Sequence, residues 1–463
     1  MSFSPDDTIL DSLRDALRGP VLAPGDDGYD AARTVWNARL ASRPAAVAQC
    51  TGAADVRTAV DIAREHDLPL SVKGGGHSYA GQSAAEGALM VDLSSMTGVR
   101  VDPDTKTARG QAGATWGDFD HETQAFGLAT PGATVSTVGV AGCTLGGGTG
   151  HLARKYGLSL DNLRSADVVM ADGSFVHASE DENADLFWGL RGGGGNFGVV
   201  TSFEFQLHEV GPEVLAGQIL HPMANAAEGL RLYRDVMADA PDALQAYAFF
   251  IHVPPIPAIP DEYHGQTALD FVVTYAGDHA TGEKVLRPLR SFEDPILDGV
   301  RPQAYTALQQ TFDEGTPNGQ RWYSKAHYLN ALPDAAIDTV VEHVDPLPGP
   351  FSMVYLEPMG GAIGRVDPTA TAFPHREAAY GFHILTGWPD ADQDATIMDW
   401  TRDFHAAMAP HANGGVYVNL LGADEEYRVA SAYGPNYDRL ARLKETYDPD
   451  NLFRMNHNVE PVT

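Results

Sequence analysis

The stretch Lys73-Gly74-Gly75-Gly76-His77-Ser78 sets an imidazole directly after three glycines. Consecutive glycines reach positive φ and can turn several backbone amides toward one point, which makes a nest for phosphate oxygens. The histidine then stands beside whatever is bound. Two further clusters follow, Val138-Gly139-Val140-Ala141-Gly142-Cys143-Thr144-Leu145-Gly146-Gly147-Gly148 and Gly192-Gly193-Gly194-Gly195-Asn196-Phe197-Gly198-Val199-Val200. Three amide-rich loops from distant parts of a chain suit a ligand longer than one phosphate, and neutral backbone donors let an acidic chain hold a dianion.

Other chemistries find less support. The third cluster contains G-x-G-x-x-G through Gly193, Gly195 and Gly198, but a dinucleotide fingerprint follows a strand and opens a helix. Here the cluster follows the helix-like Asp185–Leu190 and opens a strand, so the context argues against a Rossmann NAD site. His405 and His411 are six apart and His375 and His383 eight apart, which is not the i, i+4 spacing of helical metal ligands, and no metal is expected. Cys50 and Cys143 have no CxxC partner, and no G-x-S-x-G elbow supports a serine hydrolase.

The elements that must position these loops read as α+β. Val56, Ala59, Val60 and Ala63 have helical spacing over residues 53–66, and Leu68–Val72 is a strand leading into the nest. Ala88–Leu93 is another strand. Thr115–Phe126 reads as a helix with Trp116, Phe119 and Phe126 on its buried face. Asp167–Met170 and Ser174–His177 flank an Ala171-Asp172-Gly173 hairpin turn, and Val199–Leu207 alternates through Phe203, Phe205 and Leu207. After Gly211-Pro212, longer helices (Ala226–Asp239, Ala391–Met408) alternate with strands (Tyr247–His252, Ala268–Tyr275, Phe351–Leu356, Gly415–Leu421), as an antiparallel sheet with helices on one face would require.

Four more stretches complete a pattern: Lys155-Tyr156-Gly157-Leu158-Ser159-Leu160-Asp161-Asn162-Leu163, Ala184-Asp185-Leu186-Phe187-Trp188, Thr371-Ala372-Phe373-Pro374-His375-Arg376 and Tyr447-Asp448-Pro449-Asp450-Asn451-Leu452-Phe453-Arg454-Met455-Asn456-His457-Asn458. With the glycine clusters they resemble the flavoprotein family of the berberine bridge enzyme and 6-hydroxy-D-nicotine oxidase, over almost the whole chain. The resemblance implies a PCMH-type FAD-binding domain built from both termini, residues 1–208 and 422–463, with a substrate domain of antiparallel sheet and helices, 209–421, inserted between. It implies FAD joined covalently to His77 through the 8α-methyl group. It also implies a flavin site formed by Lys73, Gly74, Gly75, Gly76, Ser78, Pro131, Gly132, Val138, Gly139, Gly142, Cys143, Leu145, Gly146, Gly147, Gly148, Tyr156, Gly195, Asn196, Gly198, Val199, Val200, Asn419, Asn456 and Asn458. Side-chain caps of a chain terminus are the other reading of Asn456 and Asn458.

The chain departs from the pattern twice. Val135-Ser136-Thr137-Val138-Gly139 stands where plant and sugar-oxidising relatives have Cys-Pro-x-Val-Gly, so Val135 replaces the cysteine that links flavin C6. Cys143 lies eight residues on, and no second link is expected. Tyr417-Val418-Asn419-Leu420 ends in a leucine where many plant relatives carry a tyrosine base, and Leu420 cannot take a proton.

Flavin carries the redox chemistry while the protein positions the substrate carbon and manages the proton, the latter worth ~10²–10⁴ in rate. Tyr355 and Glu357 alternate onto one face of a strand and align with the Lys-x-Glu pair of the nicotine oxidase, tyrosine replacing lysine. A salt-bridged carboxylate and a buried sheet tyrosine are their alternatives. Tyr417, with Asn419 on the same face of the next strand, is the third candidate. The function implied is an FAD-dependent oxidase that removes a hydride from a CH–OH or CH–NH carbon of a small molecule, with O2 reduced to H2O2. The alternatives are a flavin dehydrogenase with another acceptor and a flavoprotein that sequesters a small molecule.

Among 463 residues, 62 are acidic and 31 basic, only six of them lysines, for a formal charge of −31. Such a surface repels nucleic acid and anionic membranes. No run of eighteen apolar residues occurs, and Met1–Asp7 lacks a basic and an apolar region, so a cytoplasmic protein, monomer or homodimer, is expected. Acidic runs such as Asp26-Asp27, Asp181-Glu182 and Asp424-Glu425-Glu426 are dispersed, which suits a halophilic surface. The screening length falls from ~30 Å at 0.01 M salt to ~3 Å at 1 M, relieving carboxylate repulsion. The melting temperature should therefore rise steeply from dilute buffer to molar KCl, and similarly with another monovalent salt. A flat melting curve across that range would exclude the halophilic reading.

Overall fold

A computed structural model of the chain describes residues 7–40 and 42–462; residues 1–6, read above for an export signal, lie outside the described residues. The first sheet has the strand order Val21–Leu22, Ala46–Gln49, Leu89–Asp92, Leu70–Lys73. Its last three strands are parallel, so the chain needs a crossover, which the helix Ala53–Glu65 supplies. Val56, Ala59, Val60 and Ala63 are fully buried along that helix, as their spacing requires. The chain leaves Lys73 at the end of its strand and enters the glycine nest at once.

A five-stranded antiparallel sheet follows, ordered Val99–Asp102, Thr107–Gln111, Val199–Gln206, Leu163–Val169, Phe175–Ser179. Phe205 of its central strand meets Phe119 at 5.4 Å and Trp116 at 5.9 Å, both from the helix Trp116–Gln124. Phe126, expected on the same buried face, is 51% exposed. The helix stops before it, and Gly127 at φ +66° turns the chain away.

The third sheet has eight antiparallel strands. Seven run in the order Leu297–Asp298, Glu213–Pro222, Thr267–Tyr275, Leu244–His252, Met353–Pro358, Tyr380–Trp388, Arg321–Leu329, and Arg301–Ala304 also pairs with Glu213–Pro222. Helices Ala226–Ala238, His279–Arg290, Asp334–Val344 and Asp394–Met408 bury Leu230, Leu286, Val340 and Phe404 against one face, which presents Phe250, Val354, Leu356 and Phe382. Strand periodicity of two sends Phe249, Met353, Tyr355 and Leu385 to the other face.

Gly415–Leu421, expected as a strand, is irregular, with a 3₁₀ turn over Val418–Leu420. Local bonds from Leu420 N to Tyr417 O (3.0 Å) and from Leu421 N to Val418 O (3.2 Å) replace a ladder. The apolar residues Val416, Val418 and Leu421 instead join the core of the amino-terminal sheets, together with Tyr433, Leu440, Phe453 and Val459. Both ends of the chain thus share one core. Among the described residues, no helix is long and apolar enough to cross a membrane.

Five buried or half-buried histidines make this architecture sensitive to acid. Burial lowers the pKa of His151 and His405 to about 3, and of His208, His221 and His375 to about 4. Asp120 and Asp270 oppose this, since burial raises each to about 7. Between the usual histidine pKa of 6.5 and about 4, unfolding lets these five rings take up protons while the two aspartates release theirs. The unfolded chain therefore binds more protons, and stability is lost as pH falls through that window. At constant molar salt, the melting temperature should decline steadily from pH 6.5 toward 4; a rise over the same range would mean that the carboxylates govern the balance.

Candidate active site

Three glycine loops face the helix-free side of the eight-stranded sheet, with a cavity of ≈ 350 Å³ between them. The first loop presents the N–H groups of Gly75, Gly76, His77 and Ser78, which meet no acceptor among the described residues. It touches the second loop backbone to backbone: a Cβ on Gly75 would collide with Gly139 and one on Gly139 with Gly75. Lys73 stays outside, donating to the Ala32 carbonyl at 2.9 Å with Asp92 at 3.8 Å.

Trp36 stacks on the His77 ring at 5.0 Å, and the Thr137 hydroxyl lies 3.2 Å from His77 Nε2. Burial lowers the His77 pKa to about 4, with the Thr137 backbone acting in the opposite sense, so the ring is neutral at pH 7. Cys143 also lines the cavity, but burial pushes its thiol up to about 12.

The loop that replaced the expected strand brings in Tyr417 and Asn419. Gly148 N donates to the Tyr417 hydroxyl at 2.8 Å and Asn419 Nδ2 donates to it at 3.1 Å. Asn419 also donates to the Gly142 and Cys143 carbonyls, each at 3.2 Å. Side chains at Gly146 and Gly147 would collide with Asn419 and Tyr417, so these glycines serve close packing.

Tyr355 lines the cavity, stacked on Phe249 at 4.6 Å. Glu357, two residues on, is buried without lining it: His383 Nε2 lies 3.2 Å from its Oε2, and Tyr247 donates a long 3.5 Å bond to Oε1.

Of the residues singled out by sequence, Gly74 to Ser78, Val138, Gly139, Gly142, Cys143, Leu145, Gly195, Asn196, Gly198, Val199, Val200, Tyr355, Tyr417, Asn419 and Asn456 line the cavity. Lys73, Pro131, Gly132, Gly146, Gly147, Gly148, Tyr156, Glu357 and Asn458 do not. Pro131 accepts the Ser159 hydroxyl at 2.7 Å, Gly132 leaves space for the Trp116 indole, and Tyr156 stacks on His208 at 3.9 Å. Sequence reasoning missed the aromatic wall of Trp36, Tyr79, Phe249 and Phe312. Tyr79, two residues past His77, and Phe249, on the same strand face as Tyr247, were the available signals.

A family model described as FAD binding domain matches residues 44–179, and one described as berberine and berberine like matches 416–460. The chain is 31% identical to (R)-6-hydroxynicotine oxidase of Paenarthrobacter nicotinovorans, covering 96% of this chain and 97% of that one. It is also 31% identical to xylooligosaccharide oxidase of Thermothelomyces thermophilus, over 98% and 94%. The crystal structure of 6-hydroxy-D-nicotine oxidase from Arthrobacter nicotinovorans matches with a TM-score of 0.87 at 28% identity, over 96% of this chain and 98% of that one. Fold and site together define an FAD-linked oxidoreductase of the PCMH type. Within that class, the chain belongs to the family of the berberine bridge enzyme and 6-hydroxy-D-nicotine oxidase.

The residues present fit FAD. The nest offers free amides, and Gly142 and Gly195 line the cavity with nothing within 4 Å of where a Cβ would stand. Asn456 donates to the Gly195 and Phe453 carbonyls at 3.1 and 2.8 Å, leaving its buried Oδ1 without a partner among the described residues.

Gly142 lies inside the helix Val140–Gly146, where alanine is worth up to ~1 kcal/mol more than glycine. Gly142→Ala should accordingly hold or raise the melting temperature of flavin-free protein while cutting the flavin content of purified protein several-fold. Full flavin loading in this variant would place the cofactor away from that helix.

Proposed function

We propose that the chain oxidises a CH–OH or CH–NH carbon of a small organic molecule, that FAD is held covalently through His77 alone, and that O2 is the electron acceptor. Residues 1–208 and 422–463, with the loop 415–421 that packs into their core, hold the cofactor, and the rest of 209–421 presents the substrate. When bound, FAD supplies hydride acceptance at its N5 position. The observation that carries the reading is a neutral His77 set in a nest of unpaired amides beside a wall that holds Tyr355 and Tyr417. A neutral imidazole nitrogen keeps its nucleophilic lone pair. Cys143, with its thiol held up near 12, offers almost no thiolate for a second link, and Val135 offers none.

The other residues divide the work of positioning and proton handling. Two N–H groups donate to the Tyr417 oxygen and burial raises its pKa, so its own proton points away from them and serves as a hydrogen-bond donor to substrate. Tyr355 is the member of its pair that reaches the substrate. Glu357 raises the pKa of both the Tyr355 and the Tyr417 hydroxyl electrostatically and so helps keep each protonated. Outside the site, some surface arginines draw more than one carboxylate, as Arg231 does with Glu228, Asp334 and Asp338, leaving the remaining acidic surface for salt to screen.

Denatured wild-type protein should retain a yellow chromophore, and His77→Ala should release it to the supernatant. Flavin reduced anaerobically by a substrate should reoxidise on admission of air with one H2O2 per flavin. Release of the wild-type chromophore removes the covalent claim, and slow reoxidation in air makes the protein a dehydrogenase.

A further inference from the structure

Among the described residues that line the cavity, none is Asp, Glu, Lys or Arg, although the chain carries 93 of these residues, the sum of 31 basic and 62 acidic. The wall opposite the glycine loops is aromatic. Phe249 lies between Tyr355 at 4.6 Å, stacked, and Phe312 at 4.7 Å. Across from them, Trp36 meets Tyr79 edge-on at 5.3 Å, and Leu385 fills the space beside Phe249.

Few polar side-chain atoms in this wall are free. Trp36 Nε1 donates to the Thr316 carbonyl at 2.9 Å, and the Thr316 hydroxyl donates to the Phe312 carbonyl at 2.9 Å. Tyr79 and Tyr355 both line the cavity, and Tyr79 raises the Tyr355 pKa electrostatically, which places the two phenols near each other. Burial keeps both protonated at neutral pH.

We propose that this wall selects a planar, uncharged aromatic alcohol, its ring held against Phe312 and the edges of Trp36 and Phe249, and its hydroxyl by Tyr79 and Tyr355. The proposal rests on the oxidation reading above for its reacting carbon. A carboxylate or phosphate substrate would enter with no cation to pair it, against the field of an acidic protein. An ammonium would lack a counter-charge in the wall, since Glu357 is engaged by His383 and Tyr247 and does not line the cavity. An oligosaccharide would bury many hydroxyls against three phenols, those of Tyr79, Tyr355 and Tyr417, and unpaired buried hydroxyls are costly.

The test uses the flavin-loaded protein with four probes: cinnamyl alcohol, mandelate, benzylamine and xylobiose. Binding is read anaerobically by perturbation of the flavin spectrum, and independently by quenching of tryptophan emission, to which Trp36 and Trp322, stacked at 4.5 Å, contribute. Cinnamyl alcohol should bind at least tenfold more tightly than each of the other three. Phe312→Ala and the volume-conserving Phe312→Leu should both weaken it about tenfold, since either loses the ring face. Tight binding of cinnamyl alcohol without flavin bleaching supports the substrate class and overturns the oxidation reading instead. Tighter binding of xylobiose, mandelate or benzylamine overturns the substrate class, and so does unchanged affinity in both Phe312 variants.

Discussion

Lys444 has no exposed surface, and its three N–H groups are fully used: on the Asn196 carbonyl at 2.8 Å, the Phe453 carbonyl at 2.9 Å and Asp448 at 2.6 Å. Desolvation lowers its pKa and the Asp448 charge opposes this, so the pair survives burial only because every donor is satisfied. Asp448 in turn accepts the Leu452 and Phe453 amides at 2.8 and 2.9 Å. Asn196 donates to Gly193 O and accepts from Val459 N, so the third glycine loop and the last turn of the chain are built as one unit. The position of Asn456 and His457 in the cavity depends on this clasp, and with it the closure of a cofactor site whose parts come from both ends of the sequence. Removing either charge would strand the other, at a cost of about 3–5 kcal/mol.

The same economy governs the substrate side. The strand Met353–Pro358 gives Val354 and Leu356 to the helices, and Met353 and Tyr355 to the cavity. A slip of one residue would exchange these sets and bury the phenol in the helical core. The register Tyr355↔Phe249 and Tyr355↔His383 fixes the wall, and ring contacts at 4.6 Å, stacked on Phe249 and tilted against His383, hold the phenol upright.

How much of this was legible in the sequence depended on whether the pattern was local. The helix Ala53–Glu65, the Met170–Ser174 turn and the strand Val199–Gln206 carry their periodicity or their turn chemistry within a dozen residues, and each formed. Arg321–Leu329, at the edge of the sheet, and Tyr380–Trp388 inside it were not recognised as strands, because strands buried on both faces lose the alternation that marks a half-buried one. Lys325 is tolerated in the first because Asp424 and Glu425 meet it at 3.0 and 3.1 Å from a hundred residues away, a pairing no local pattern announces. Gly415–Leu421 misled for the converse reason: its alternation serves a loop whose polar side chains bind the second glycine loop. The glycine residues of the site were legible as chemistry, whereas which of them face ligand and which admit a neighbour, as Gly142 and Gly147 respectively do, required the packing.

A chain of formal charge −31 that binds a dinucleotide dianion works against its own field. It could have placed lysines and arginines at the phosphates, but the one lysine beside the nest, Lys73, is turned to Ala32 and Asp92, and the cavity walls are uncharged. Backbone amides then carry the attraction, and they do so without a cation that surface carboxylates would compete for. Amide nests give less long-range pull than cations, so the loss falls on capture and retention of the cofactor. Covalent attachment through His77, as proposed, makes retention independent of that field. The low pKa of His77 serves the same end, because a protonated imidazole could neither form the bond nor be offset by any carboxylate lining the cavity.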